Sequence, residues 1–232
     1  MQVIFEDEHL LAVDKPSGIS VIPERGKTKE ECLRAMLEKE LNQPIYVVHR
    51  LDKETTGIVL FAKTREAHRA LCMDFEKREI EKVYVTRVIG EPVARRFQCD
   101  FPIGEGRKGK TKVFGKNSKP ALTHFVWVSE SKDSSTSLLL ARPVTGRRHQ
   151  IRVHLAFLGL LVVGDSLYSS LARRMSKERD LRSYPQVSED TNLLLRAWQL
   201  RLLHPFTRSH ILLAADLPTW AKEAESYLYE NF

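Results

Sequence analysis

The chain has 232 residues, of which 42% are hydrophobic and 29% are charged, and its formal net charge is +7. This hydrophobic content favours a packed core over disorder, and the positive charge favours an anionic partner, with nucleic acid ahead of a membrane surface. Three widely separated cysteines without C-x-x-C spacing argue against a disulfide framework or a zinc site. They favour a reducing compartment, so we expect a cytoplasmic protein. No apolar run approaches the ~18 residues of a membrane span.

Apolar runs between turn residues predict strands, and apolar residues at helical spacing predict helices. In chain order the predicted elements are a hairpin with strands near 2–5 and 9–14, a helix over 28–41, strands near 45–49 and 58–62, a helix over 65–78, a strand over 82–90, strands near 121–129 and 136–144, a helix over 147–158, a strand pair at 193–206 and 210–216, and a closing helix from near Pro218. Thr28 and Glu31 have the spacing of a capping box, and Thr64 is placed to cap the second helix.

Two segments are polar and lack clear periodicity. Residues 104–120 are rich in glycine and lysine, with six cations against one acid, Glu105. This composition fits a solvated hairpin loop and an arm that grips RNA equally well, and the two interpretations are compatible. Residues 169–191 are charged and poorly periodic, which predicts a surface loop.

The order of these elements predicts the fold class. Strands and helices do not alternate strictly, so a doubly wound parallel sheet is disfavoured. We expect one α+β domain over 1–232, built on a mixed, mostly antiparallel sheet with flanking helices and loops. No repeat or linker is evident. We also expect no separate RNA-binding module before the first strand. We expect the domain to act as a monomer.

The stretch "VVHRLDKETTGIVLFAKT" (47–64) places chemistry between two apolar strands. In extended chain Arg50 and Asp52 share a face. Most such pairs are ordinary strand-end ion pairs worth ~0–1 kcal/mol. Here the flanking apolar strands predict a partly desolvated carboxylate. A second cluster, "TGRRHQIRVHL" (145–155), offers Arg152 to meet Asp52 across a cleft and hold it ionised.

Five motifs in register resemble the RluA-type pseudouridine synthases. "HRLDKETTG" resembles that family's H-R-L-D-x-x-T-S-G signature, and "KVYVTRVIG" its K-x-Y strand. "RPVTGRRHQIRVHLAFLG", followed by "VGDSLY", resembles its third block, while "VDKPSGISVIP" and "LHPFT" resemble its terminal segments. The resemblance covers nearly the whole chain and implies a pseudouridine-synthase-like fold.

The resemblance also implies roles for individual residues. Asp52 matches the catalytic aspartate, and Arg50 the arginine that replaces the flipped uridine in the RNA stack. Tyr84 matches the tyrosine that stacks on the target base, Arg152 the arginine that pairs with the aspartate, and Ile151 the apolar lining of the base pocket. Without the resemblance, Tyr84 would be an ordinary sheet tyrosine and Ile151 a core residue.

The implied reaction isomerises a uridine in structured RNA, either tRNA or rRNA. Uracil is detached from C1′, turned over and rejoined through C5, so no atom is added and no cofactor is required. The aspartate either attacks C1′, as carboxylates do in retaining glycosidases, or removes the C2′ proton. The sequence leaves both routes open.

Several cations are candidates for gripping RNA. They lie on the 104–120 segment and at the start of the third predicted helix: Arg107, Lys108, Lys110, Lys112, Arg147 and Arg148. A metal site is not expected, because His149 and His154 are five residues apart and lack a third ligand.

Two other functions compete with the isomerase. A non-catalytic RNA-binding or folding protein on the same scaffold would gain nothing from a carboxylate beside its anionic ligand. A nucleoside hydrolase or glycosidase is disfavoured, because no second carboxylate accompanies Asp52 in the motif. Departures from the family pattern at Thr56, Arg148, Leu160–Leu161 and Arg196 bear on substrate preference rather than on the reaction.

Overall fold

A computed structural model describes residues 1–24, 28, 31–107, 110–131, 136–178 and 192–227. Its strands are β1 (Val3–Glu6), β2 (Leu10–Lys15), β3 (Tyr46–Val47), β4 (Thr56–Ala62), β5 (Glu81–Ile89), β6 (Arg96–Cys99), β7 (Ile103–Glu105), β8 (Thr111–Val113), β9 (Lys116–Lys119), β10 (Thr123–Glu130), β11 (Thr136–Pro143), β12 (Leu161–Val162), β13 (Leu195–Leu203) and β14 (His210–Ala214). Its helices are α1 (Leu33–Leu41), α2 (Arg65–Lys77), α3 (Gln150–Phe157), α4 (Ser169–Glu178) and a 3-10 helix (Thr219–Ser226).

The described residues divide into two compact units. The first contains Met1–Lys82 and Arg196–Asp216. Its strands lie in the order β1-β2-β4-β13, with β3 also paired to β4 and β14 to β13. These pairs are antiparallel except for β4 and β13, which run parallel. The predicted mixed, mostly antiparallel sheet is therefore confirmed, while the assignment of 1–232 to one catalytic domain stays a prediction.

The core of the first unit explains why β4 is almost continuously apolar. Gly57–Ala62 is buried along its whole length. On one face, Ile58 and Leu60 pack against Ala67 and Leu71 of α2. Helix α2 begins where the sequence predicts, because the Thr64 hydroxyl accepts a hydrogen bond from the Ala67 N–H at 3.2 Å.

The second unit contains Val83–Leu195 and the segment that starts at Leu217. Its central strands lie in the antiparallel order β5-β11-β10-β6, and β12 pairs with β5. Helix α3 is buried from Gln150 to Ala156, which explains its lack of a polar face. A separate three-stranded sheet has the order β8-β7-β9.

The predicted start of the first helix is wrong for a reason that lies in the tertiary structure. Helix α1 begins at Leu33 rather than near 28, with Cys32 as its N-cap and no side-chain cap. The segment before it is held instead by a bridge between Ser20 and Cys32 and by the Leu33 N–H donating to the Ser20 carbonyl at 2.9 Å. The capping box of Thr28 and Glu31 is therefore not formed.

Part of the predicted 169–191 loop is helical. Helix α4 occupies Ser169–Glu178 because Ala172 is buried against Tyr168 and Val153. The remainder, 179–191, lies outside the described residues.

Three other predicted elements differ from the structure. The segment 104–120 forms three short strands rather than a simple hairpin. Helix α3 begins three residues later than predicted, and the closing helix is a 3-10 helix. The short strands β6 and β12 were not predicted.

Candidate active site

The first unit carries Arg50 and Asp52 in the connection between β3 and β4. Asp52 is half-buried and Arg50 is exposed. The Asp52 carbonyl accepts a hydrogen bond from the Thr55 N–H at 3.1 Å, which closes a turn just before β4. The predicted partly desolvated position of Asp52 agrees with this burial.

A fully buried lysine, Lys15, forms a hydrogen bond to the backbone of this turn. The Lys15 side chain is 0% exposed, and its Nζ donates to the carbonyls of Pro16 at 2.8 Å, Ile19 at 2.9 Å and Lys53 at 2.8 Å. The ammonium has three donors, so these bonds use them all. Lys15 thereby joins the 16–19 segment to the residue that follows Asp52.

Burial lowers the pKa of Lys15 to about 8, and the negative charges of Glu54 and Asp52 oppose that shift. The side chain therefore remains mostly cationic at neutral pH.

The structure explains why the "TTG" sequence has glycine at position 57. Its φ is +104°, and a Cβ built at this residue would lie 2.1 Å from the Ala197 carbonyl oxygen. Only glycine permits strand β13 to approach β4 this closely. The start of β4, which follows the Asp52 turn, therefore lies directly against the backbone of β13.

His49 has a structural position rather than a catalytic one. Its Nε2 accepts a hydrogen bond from the Leu60 N–H at 2.9 Å, and its ring stacks on Phe75 with centroids 4.8 Å apart. Desolvation lowers the pKa of His49 to about 3, with a smaller contribution from the positive charge of Lys82. The imidazole is thus a neutral acceptor at neutral pH.

The second unit carries the other predicted substrate-binding residues. Tyr84 is half-buried on β5 and packs against the same hydrophobic cluster as Ile151, which lies in α3. The structure therefore brings these two side chains into one apolar region. Each also fits the ordinary alternative, a sheet tyrosine beside a core isoleucine.

Arg152 is held by a carboxylate that the sequence analysis did not single out. Its Nε and Nη2 donate to the two carboxylate oxygens of Asp165 at 2.7 and 2.8 Å, and Arg152 is only 8% exposed. Its guanidinium also lies 5.5 Å from the ring centroid of Tyr168. A guanidinium has five N–H donors, so binding Asp165 does not exhaust its capacity for a second carboxylate. The pairing of Arg152 with Asp52 remains a prediction.

Tyr168 extends this network towards the small sheet. Its hydroxyl lies 2.8 Å from the Thr111 hydroxyl and 2.9 Å from His149 Nδ1, and it accepts from the Thr111 N–H at 3.1 Å. Burial raises the pKa of Tyr168, so its hydroxyl stays protonated. The "GDSLY" motif thus fixes the orientation of Arg152 through Asp165 and attaches α3 to β8 through Tyr168.

The basic residues predicted to bind RNA differ in their surroundings. Three of them are solvent-exposed: Arg107, Lys112 and Arg148. Lys110 is half-buried, and its Nζ donates to the Leu167 carbonyl at 2.8 Å. The Nε of Arg147 donates to the Pro120 carbonyl at 3.0 Å. Lys108 lies outside the described residues. Lys110 and Arg147 therefore have structural partners as well as a positive charge.

The "LHPFT" segment also has a structural role. His204 Nδ1 accepts hydrogen bonds from the Phe206 and Thr207 N–H groups, and its Nε2 lies 2.9 Å from Asp7 Oδ2.

Three residues with structural contacts fall inside the motifs on which the resemblance rests: Lys15, Asp165 and His204. Lys53, a partner of Lys15, lies 38 residues away along the chain, and Asp7, a partner of His204, lies 197 residues away, so motif spacing alone did not reveal these two contacts.

Three negative findings apply to the described part of the chain. Within it, no three histidine, cysteine, aspartate or glutamate side chains are grouped closely enough to hold a metal ion. No helix among those residues is both long and apolar enough to cross a bilayer. The three cysteines all lie in the described ranges and form no disulfide.

Comparison with known proteins identifies the family. The family model described as RNA pseudouridylate synthase matches residues 9–157, which is more than half of the chain. The chain therefore belongs to the RNA pseudouridylate synthase family. This match confirms the resemblance that the motifs carry.

Two relatives named for their activities extend the match over nearly the whole chain. The dual-specificity RNA pseudouridine synthase RluA of Vibrio parahaemolyticus is 34% identical over 99% of this chain and 88% of its own. The ribosomal large subunit pseudouridine synthase D of Nitrosomonas europaea is 34% identical over 94% of this chain. The chain spans 62% of the length of the latter protein.

Solved structures agree on the fold. Human RNA pseudouridylate synthase domain containing 4 superimposes with a TM-score of 0.72 at 25% identity, covering 97% of this chain and 92% of that one. Human RNA pseudouridylate synthase domain containing 1 gives a TM-score of 0.73 at 23% identity, covering 93% of this chain and 83% of that one. The expected pseudouridine-synthase fold is thus confirmed.

Proposed function

We propose that this protein isomerises uridine to pseudouridine in structured RNA, with Asp52 as the catalytic carboxylate. The observation that carries the proposal is the Asp52 turn, which is half-buried and anchored by the fully buried ammonium of Lys15. Such an anchor holds a reactive carboxylate in one position without placing it in the core. The family assignment supplies the reaction class.

The atoms of the reaction balance without a cofactor. The N1–C1′ bond of uridine breaks, the C5–C1′ bond forms, C5 loses its proton, and N1 gains one. Asp52 acts either by attacking C1′ or by removing the C2′ proton. Water has to be excluded, because it would otherwise capture the sugar.

The remaining predicted residues would bind the extruded nucleotide. Tyr84 would stack on the uracil, which is worth ~1–3 kcal/mol and offsets part of the few kcal/mol lost by flipping the base. Ile151 would line the same apolar region, and Arg50, which is exposed, would fill the gap left in the RNA stack. Arg152, oriented by Asp165, would hold Asp52 ionised.

The RNA substrate is proposed from charge and from the relatives. Arg107, Lys112 and Arg148 are exposed cations suited to phosphate contacts. One relative is named for the large ribosomal subunit and another for dual RNA specificity. We infer that the substrate is rRNA, tRNA or both. We also infer a cytoplasmic location from the reduced cysteines and the RNA substrate.

Asp52→Asn tests the proposal, with Glu54→Gln as its matched control. Glu54 is an exposed carboxylate two residues further along the same turn. Asp52→Asn should abolish pseudouridine formation, measured by chemical mapping of cellular RNA from cells expressing each variant, and should leave RNA affinity equal or tighter. Glu54→Gln should stay active. Turnover by Asp52→Asn near that of the parent protein would remove the aspartate from the mechanism and favour the RNA-binding alternative.

A further inference from the structure

Phe114 is a large apolar side chain left in solvent on the basic three-stranded sheet. It is 61% exposed. It occupies the two-residue link between β8 and β9, which lie on opposite sides of β7. The link crosses β7 beside Gly104 and Glu105. A Cβ built on Gly115, the second residue of the link, would lie 2.6 Å from the Glu105 carbonyl oxygen. This close crossing presents the phenylalanine on the outside of the sheet.

The backbone of Phe114 is unfavourable for its own side chain. Its φ is +54°, in the left-handed region that bulky residues rarely adopt. Glycine or asparagine would suit this position better. Since the ring is also largely outside the core, neither local conformation nor burial accounts for a phenylalanine here.

Neighbouring rings hold the phenylalanine in one orientation. The Phe101 and Phe157 rings contact it edge-on, with centroids 5.5 and 6.5 Å away and interplanar angles of 61° and 77°. These contacts restrict the ring while most of its surface stays open. A restricted aromatic ring gives up little conformational entropy when a second flat group stacks on it.

The charges around Phe114 indicate the chemistry of its partner. Lys112 precedes the link and Lys116 follows it, and both are exposed, as is Lys119 further along β9. Glu105 is the one acid on these three strands, so cations exceed acids three to one. An exposed ring between cations favours a ligand that is flat and anionic, and RNA combines an aromatic base with a phosphate backbone.

We propose that Phe114 is a stacking site for an unpaired nucleobase of the RNA, separate from the target uridine, with Lys112 and Lys116 binding the adjacent phosphates. The proposal rests on the proposed function only in taking RNA as the ligand. It assigns the sheet β7–β9 a base-contacting role in addition to its charge. A protein partner that covers the ring with an apolar surface is the alternative that the test has to exclude.

Phe114→Asn is the informative variant, because asparagine tolerates positive φ and should preserve the backbone conformation of the link. The probes are a single-stranded oligouridine and a blunt-ended RNA duplex of equal length, with binding measured in the Asp52→Asn background so that no turnover occurs. We expect oligouridine affinity to fall on the order of tenfold, the effect of losing one stacked base, and duplex affinity to stay constant. Phe114→Trp should restore oligouridine binding, and the added indole fluorescence should change when the oligomer binds.

The salt dependence separates stacking from charge. Phe114→Asn should leave the slope of log affinity against log salt unchanged, because no phosphate contact is lost. Lys112→Gln with Lys116→Gln should flatten that slope for both probes. Phe206→Ala is the matched control, since Phe206 is another exposed phenylalanine, 45% exposed, that lies outside the small sheet. It should bind both probes like the parent protein.

Three results would overturn the proposal. One is an unchanged oligouridine affinity in Phe114→Asn, which would favour a protein partner. Another is an equal loss for oligouridine and duplex, which would point to altered sheet structure. The third is a similar loss in Phe206→Ala. None of these depends on isomerase activity, so failure of the proposed function at Asp52 would be seen separately.

Discussion

The guanidinium of Arg152 and the carboxylate of Asp165 form a two-point ion pair at 2.7 and 2.8 Å, and both side chains are almost fully buried. Two parallel hydrogen bonds fix the plane of the guanidinium as well as its distance. The pair therefore sets the direction in which Arg152 can act on any further carboxylate. Because both charges have left water, each relies on the other for its solvation.

Asp165→Asn should destabilise the protein by about 3–5 kcal/mol, because it leaves the buried Arg152 cation without its compensating charge. The free energy of unfolding, measured by urea denaturation, checks this. Asp100→Asn, at an exposed carboxylate of the same unit, should cost less than about 1 kcal/mol. A loss at Asp165 no larger than that at Asp100 would show that the pair contributes little.

Gly57→Ala should be far more damaging than Gly18→Ala. Both residues have positive φ, +104° and +84°, so both substitutions introduce backbone strain of about 1–2 kcal/mol. At Gly57 the new Cβ also meets the Ala197 backbone, whereas nothing lies within 4 Å at Gly18. We expect a loss above about 4 kcal/mol, or no soluble folded protein, only for Gly57→Ala. Circular dichroism and urea denaturation of the two variants measure this difference, and equal losses would contradict it.

His49 should make the protein sensitive to mild acid. Its pKa of about 3 in the folded state lies below the ordinary 6.5, so between these values the unfolded chain binds the extra proton and stability falls as pH falls. For this group alone, the loss from pH 7 to pH 5 is about 2 kcal/mol. His49→Gln, which cannot titrate, should lose correspondingly less stability over that interval in urea denaturation. Parallel pH profiles of the two proteins would show that His49 is not the cause.

The elements that the sequence predicted well are those with local signals. The hairpin of β1 and β2 has its turn residues and apolar runs together, and α2 has its cap at Thr64 beside its apolar stripe. The start of α1 and the helix α4 were missed, because the bridge from Ser20 and the burial of Ala172 depend on distant chain segments. Local propensity cannot register such contacts.

For the candidate site, the sequence motifs named residues but did not show the contacts between them. The motifs name five candidate residues, whose roles stay predictions: Asp52, Arg50, Tyr84, Ile151 and Arg152. They did not reveal that Asp165 holds Arg152, or that Lys15 bonds to the Lys53 carbonyl. The contact of Lys15 with Lys53 joins two different motifs, and which motifs meet is a property of the folded chain. Arg152 and Asp165 lie 13 residues apart within the third block, whose letter pattern does not show which side chains meet. Phe114 was missed because its unusual backbone and exposure are not visible in composition.

The close approach of Gly57 to Ala197 has a consequence for protein synthesis. These residues are separated by about 140 positions, so β13 leaves the ribosome long after β4. At 5–20 residues per second, the wait is on the order of 10 s. During that interval the nascent chain contains β4 and the preceding Asp52 turn without the strand that packs against Gly57. The native arrangement at Gly57 can therefore form only after β13 has left the ribosome.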